Sequence, residues 1–143
     1  MVSRIALWCY GRAPVFGQLR ASIGVIRNAG RVLVIRRNDG RGLSFPGGLA
    51  WPWETDEKAL IREIQEETGL LCDSFKFAFR YESHVEISVL ITVFHVQATG
   101  EPRGSWEGVP EWMEIPELQR GILRSQQYAV AQLLTAPISS IGG

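Results

Sequence analysis

The run Pro46-Gly47-Gly48-Leu49-Ala50-Trp51-Pro52-Trp53-Glu54-Thr55-Asp56-Glu57-Lys58-Ala59-Leu60-Ile61-Arg62-Glu63-Ile64-Gln65-Glu66-Glu67-Thr68-Gly69-Leu70 passes from a loop rich in glycine and proline into a helix. Thr55 is a good N-cap, and Asp56 and Glu57 put negative charge on the first turn, where the helix dipole favours it. Gly69 stops the helix as a C′ residue. On a wheel of about 100° per residue, Leu60, Ile61 and Ile64 share an arc expected to face a core, and Glu63, Glu66 and Glu67 fall on the adjacent arc. Carboxylates at i, i+3 and i+4 repel, each pair costing roughly 0.2 to 0.5 kcal/mol on an isolated helix. Something must offset that repulsion, and Ala59, one turn earlier, leaves space above the acids.

A hard divalent cation is one answer, because Mg²⁺ takes oxygen ligands and works with bound water and substrate phosphate. A solvated acidic face balanced by Arg62 and Lys58 is the other. The loop favours the first, since Pro46-Gly47-Gly48 can bring bare backbone close to a metal or phosphate.

Outward from this helix, Ser22 to Ile26 and Val32 to Ile35 are β-branched runs separated by Asn28-Ala29-Gly30, a hairpin-like pair. Phe75 to Tyr81 and Val85 to Val96 read as strands, followed by a Gly/Pro-rich loop from Thr99 to Pro110 and a short strand from Trp112 to Ile115. The last helix is expected over Ser125 to Leu134, with Tyr128, Val130, Ala131 and Leu134 near helical spacing. Strands, helix, strands, helix predict an α/β fold with a mixed sheet packed between helices. No repeat or linker divides the chain, so residues 1–143 are read as one domain, with 1–20 as a poorly defined N-terminal segment that is either an edge strand or a docked piece.

The 143 residues carry 15 Lys plus Arg against 15 Asp plus Glu, so the formal net charge is zero. Metal-free electrostatic capture of a long nucleic acid calls for a basic excess that is missing here. The zero conceals a local imbalance, since six of the 15 acids lie between Glu54 and Glu67. Cys9 and Cys72 are too few for a disulfide scaffold and read as reduced thiols. No run approaches the roughly 20 apolar residues that cross a bilayer, and Ile5 to Tyr10 lacks a convincing cleavage site after it. A cytoplasmic location, with no membrane partner, is expected.

Gly48, five residues, Glu54, seven residues, then Arg62-Glu63-Ile64-Gln65-Glu66-Glu67-Thr68-Gly69-Leu70 resembles the Nudix box at every defined position. Gly24 to Asn28, Arg36-Arg37, Phe45-Pro46-Gly47-Gly48, Gly100-Glu101-Pro102 and Glu107 to Met113 extend the resemblance to the MutT-like branch, over roughly Ala21 to Leu134. The resemblance implies a Nudix-type α/β/α sandwich and a Mg²⁺-dependent hydrolase that cleaves the diphosphate linkage of a nucleoside triphosphate or modified triphosphate. Glu63, Glu66 and Glu67 would bind Mg²⁺ or Mn²⁺, helped by the backbone carbonyl of Gly47 and by Glu107. Arg62 and Glu54 would orient the glutamates, and either Glu63 or Glu66 would be the base for the attacking water.

The resemblance further implies that Arg37 contacts the substrate, that Phe45 and Gly48 line its site, and that Gln126 stands where the branch uses an asparagine to read an oxidised guanine. Gln126 keeps the amide with a longer reach. Trp53 replaces the usual glycine before the first box glutamate and is expected to narrow the site mouth, and Pro52 stiffens that turn. Trp51, Trp53 and Trp106 either stack on a base or shield core edges. His84 and His95 read as packed or surface residues rather than catalysts. Other substrates in the family are ADP-ribose, dinucleotide polyphosphates and capped RNA, but the proline and tyrosine that mark the first two are absent between Val85 and Gly100. A non-catalytic nucleotide sensor is the reading from another class, and intact box glutamates argue against it. The expected partner is a small nucleotide, and the chain is expected to be a monomer or homodimer.

Overall fold

A computed structural model describes residues 18–135; Cys9 and the other residues expected in the N-terminal segment before Gln18 lie outside the described part. The strands are β1 (Leu19–Asn28), β2 (Arg31–Arg37), β3 (Leu43–Ser44), β4 (Gly47–Leu49), β5 (Leu71–Ser83), β6 (Val89–Thr99) and β7 (Gly108–Met113). The helices are α1 (Asp56–Thr68) and α2 (Gln127–Thr135), with 3-10 turns at Ile115–Arg120 and Arg124–Gln126.

β1 organises the sheet. It runs parallel to β6 from Leu19 opposite Val89 to Ile26 opposite Val96. Its other edge is shared: β4 pairs with Ala21 to Ile23, and β2 takes over at Arg27. The β1–β2 turn uses Ala29 and Gly30, both at positive φ, a backbone twist suited to a two-residue hairpin. The division of this edge lets the Pro46 to Leu49 segment enter the middle of the sheet, where the Pro46 carbonyl accepts the Gly24 N–H.

Ile23, Val25, Phe45 and Val93 form one core with Ala129, Val130 and Leu133 of α2. Ile26, Leu33, Phe94 and Val96 form the other with Leu60 and Ile64 of α1. The mixed sheet therefore lies between helices, as expected. Among the described residues no helix is long and apolar enough to cross a membrane.

Three sequence expectations need correction. Ile61 is 39% exposed, whereas Ala59, Leu60, Glu63, Ile64, Glu67 and Thr68 are buried. At about 100° per residue these six span half the wheel, leaving Ile61 just past one margin and Glu66 just past the other. Glu63 and Glu67 thus belong to the buried arc, not merely to its neighbour, while Glu66 does not. In α2 the buried set is Ala129, Val130 and Leu133, one residue out of phase with the expected stripe. The apolar residues of α2 lie on more than one face, and the Tyr128 ring packs on Phe79 and Tyr81 of β5. Finally, Val85 is exposed outside any strand and β6 starts at Val89, while β7 begins at Gly108 inside the segment expected to be a loop.

Candidate active site

α1 is held at both ends. The Thr55 hydroxyl accepts the Lys58 N–H, and Gly69 at φ 75° closes the last turn by donating its N–H to the Gln65 carbonyl. Its first residue, Asp56, pairs with Arg20 of β1, and Arg80 and Thr92 of β5 and β6 also donate to it. The Ser22 hydroxyl donates to the Asp56 carbonyl at 2.8 Å. Beneath the helix, a Cβ on Gly24 would meet Ile64 Cδ1 at 3.0 Å, so the missing side chain sets how closely α1 lies on β1.

That closeness buries two of the box acids. Glu63 is 1% exposed and Glu67 is 3% exposed, whereas the Glu66 side chain is 57% exposed. Burial pushes the Glu67 carboxyl up to about 8, and the carboxylates of Glu107 and Glu63 add to the shift. Glu107 is also raised, by burial and by Glu63, with Arg37 opposing. Two helix acids and one acid from a distant loop therefore share one electrostatic neighbourhood. Carboxyl groups raised in this way bind protons or cations in preference to standing together as anions.

Arg62 organises the open side of this cluster. Its Nε and Nη2 donate to the two oxygens of Glu54 at 2.8 and 2.7 Å. Its Nη1 reaches Glu63 Oε1 at 2.9 Å and Glu66 Oε2 at 3.3 Å, and Nη2 also donates to the Leu49 carbonyl at 3.1 Å. The guanidinium beside Glu54, together with the Trp51 N–H, holds that carboxyl below its ordinary range. Such charge-assisted, bidentate contacts fix carboxylate orientation as well as charge.

The glycine pair provides the seat. A Cβ on Gly48 would fall 2.8 Å from the Glu63 carboxyl carbon, and one on Gly47, at φ 147°, would strike the Ser22 carbonyl oxygen at 2.1 Å. Gly48 admits no side chain while the carboxylate occupies that place, and Gly47 admits none against the Ser22 and Ile23 backbone. The donor chemistry, all carboxylate and backbone oxygen, fits a hard divalent cation. Among the described residues no three acidic, imidazole or thiol side chains already converge as a ready metal cage. The fit thus rests on the proximity of buried Glu63 and Glu67 to half-buried Glu107, with Glu63 raising both of the other carboxyls.

The expected substrate residues lie around this centre. The Asn38 N–H donates to the Glu107 carbonyl and the Asn38 side chain to the Trp106 carbonyl, which docks the Glu107 loop on the end of β2 beside Arg37. Arg37 itself donates to Asp39, with Nη2 at 2.6 Å from Oδ2. Asp39 is not among the site residues expected from the sequence. Phe45 is fully buried, and its N–H donates to Gln126 Oε1 at 2.8 Å. Trp51 and Trp53 stack, with ring centroids 5.5 Å apart and planes 2° apart. Trp53 is 75% exposed, and Trp51 and Trp106 are also exposed, so none of the three shields a core edge. His84 is exposed beside Glu82, and His95 is half-buried in β6.

Comparison with known proteins gives the same picture. The family model described as the NUDIX domain matches residues 18–134. The 8-oxo-dGTP diphosphatase of Escherichia coli (strain K12) is 33% identical over 106 residues, 68% of this chain and 81% of the relative. The 8-oxo-dGTP diphosphatase of Haemophilus influenzae is 29% identical over 110 residues, 72% of this chain and 81% of the relative. Among solved structures, the E. coli ORF135 protein aligns with a TM-score of 0.76 at 18% identity, covering 88% of this chain and 95% of that one. A MutT NUDIX hydrolase from Burkholderia pseudomallei aligns with a TM-score of 0.72 at 21% identity, covering 82% and 98%. The structural likenesses carry the fold, and the match across residues 18–134 carries the family: this chain belongs to the NUDIX family, as a MutT-like Nudix hydrolase.

Proposed function

We propose that this protein hydrolyses a nucleoside triphosphate, or one with a modified base, to the nucleoside monophosphate and pyrophosphate. The observation that carries this reading is the gathering of the Glu63, Glu67 and Glu107 carboxyl groups beside the point where Gly47 and Gly48 bring bare backbone close. Mg²⁺ or Mn²⁺ is the cofactor, with Glu63, Glu66, Glu67, Glu107 and the Gly47 carbonyl as the residues that would hold it. When bound, the cation lowers the pKa of the attacking water and neutralises charge on substrate and leaving group.

The remaining roles belong to the chain. Glu63 or Glu66 takes the proton of the attacking water as its oxygen bonds to phosphorus, and the bridging P–O bond to the pyrophosphate breaks. Arg62, tied to Glu54, keeps both glutamates oriented through that proton transfer. Arg37, beside the Glu107 loop, grips substrate phosphate, while Gly48 and Gln126 frame the nucleoside and Phe45, which the sequence placed in the substrate site, is packed in the core behind them. The activity named for the two bacterial relatives supports a purine triphosphate oxidised at the base as the first substrate to assay. One domain spanning residues 1–143, acting in the cytoplasm as a monomer or homodimer on a small nucleotide, completes the reading.

The test is a panel of ordinary and oxidised nucleoside triphosphates with Mg²⁺ or Mn²⁺, detecting pyrophosphate and phosphate separately. Hydrolysis releasing pyrophosphate from at least one compound, with most of it lost in Glu66→Gln, is expected. A silent panel at high enzyme concentration would overturn the reading.

A further inference from the structure

Arg27, His95 and Lys76 meet on one face of the sheet, away from the acids. Val25 lies opposite His95 in the β1–β6 pair, and His95 lies opposite Lys76 in the β6–β5 pair. Arg27, two residues beyond Val25, projects to the same face, since side chains alternate along a strand. Gly48, the seat of Glu63, is level with Ser22. Five residues along β1 then separate the two places by about 17 Å.

Arg27 Nε and Nη2 and His95 Nδ1 are buried without a hydrogen-bond partner among the described residues. Burial, then Arg27, then Lys76 hold the His95 imidazole below its ordinary value. Burial alone lowers Arg27, and no carboxylate among the described residues acts on either group. Native structures rarely leave such donors unmet, and a buried charged group without an acceptor is especially costly. Here two orphaned guanidinium donors face the same way as an orphaned imidazole nitrogen and an ammonium group.

We infer that Arg27, His95 and Lys76 form a second binding site, distinct from the hydrolytic centre, which takes the phosphate group of free phosphate or of a nucleotide. The Nε–Nη2 edge of an arginine presents two in-plane donors to two oxygens. The imidazole and ammonium groups come from the two next strands, each about 4.8 Å further across the sheet, and add donors outside that plane. This spread suits a tetrahedral dianion better than a planar carboxylate. Arg27 and His95 are only half-buried and Lys76 is exposed, which leaves a way in for the ligand.

The test uses the full chain with divalent metal removed by EDTA, so that the acidic cluster repels phosphate. Inorganic phosphate and a nucleoside monophosphate are titrated separately at constant ionic strength, with acetate as control, while NMR follows the His95 imidazole. A saturable His95 shift with a raised imidazole pKa is expected from phosphate or the monophosphate, and the tighter of the two identifies the source. Arg27→Met should abolish the shift while keeping Mg²⁺-dependent hydrolysis, and Lys76→Gln should weaken it several-fold should the first variant fail to fold. No saturable shift from either ligand, an equal shift with acetate, or a shift unchanged in both variants would overturn the site.

Discussion

The carboxyl carbon of Glu63 lies 2.8 Å from the point where a Cβ on Gly48 would stand, with both carboxylate oxygens at 2.9 Å from it. Gly48 is therefore the seat of a buried acid. In Gly48→Ala the new methyl meets the end of a side chain, which can swing away, so the protein should fold while the acid leaves its place. Activity should fall by roughly 10–100-fold, the usual cost of disturbing a metal ligand's support. Gly47→Ala differs because its methyl meets the Ser22 carbonyl oxygen at 2.1 Å and Ile23 Cα at 2.7 Å, and φ is 147°. Backbone cannot swing away, so that variant should fail to fold. Circular-dichroism melts beside hydrolysis rates separate the two outcomes, and a fully active Gly48→Ala would remove Glu63 from the mechanism.

Arg62 serves Glu54, Glu63 and Glu66 with one planar group. Lysine keeps the charge but not the fork. Arg62→Lys should melt somewhat below the parent, because the charge is kept but part-buried hydrogen bonds to Glu54 and Glu63 are lost. Its kcat should nevertheless drop about 10–100-fold, as when a partner that orients a metal ligand is lost. Steady-state kinetics with Mg²⁺ checks this, and a change confined to KM would place Arg62 on the substrate instead.

Glu67 makes the metal-free protein sensitive to pH. Its folded-state pKa is raised to about 8 from 4.5. The folded chain thus holds this proton more tightly than the unfolded one, and the resulting stability is complete below the unfolded value. It declines as pH rises from 4.5 through about 8. Divalent cation needs the ionised carboxylate, so the thermal shift from added Mg²⁺ or Mn²⁺ should grow across the same window. Melting curves with EDTA and with metal from pH 5 to 9 test both trends, and Glu67→Gln should flatten them.

The helix, its caps and its acids were legible in the sequence because they obey local rules: Thr55 and Gly69 mark the ends, and a fixed spacing places Glu63, Glu66 and Glu67. The sequence did not disclose which half of the wheel the sheet would cover. That depends on Gly24 admitting Leu60 and Ile64, and it decides that Glu63 is buried while Ile61 is not. Arg20 anchoring Asp56 and Arg37 turning to Asp39 were equally hidden, the first because 36 residues separate the partners. The phase of α2 was not legible because apolar residues from Tyr128 to Leu134 occupy more than one face of the helix, and only the packing against the sheet selects Ala129, Val130 and Leu133.

Gln126 joins the substrate side of the site to the chain's own packing. Its Oε1 accepts the buried Phe45 N–H at 2.8 Å, two residues ahead of Gly47. The amide oxygen is thus committed to the backbone, leaving the Nε2 hydrogens as the donors available to a base. Gln126→Leu removes the acceptor in a buried place and should cost about 1–3 kcal/mol, the penalty of an unmet N–H. Gln126→Asn is shorter by one methylene and should lose most of the same bond despite keeping the amide. Both should raise KM for the best nucleotide, because Phe45 and the glycine pair after it lose their tether. Urea unfolding and substrate kinetics on the two variants decide the matter: parent-like stability in Gln126→Leu would show that the Phe45 N–H finds another acceptor, and an unchanged KM would take Gln126 out of the nucleoside site.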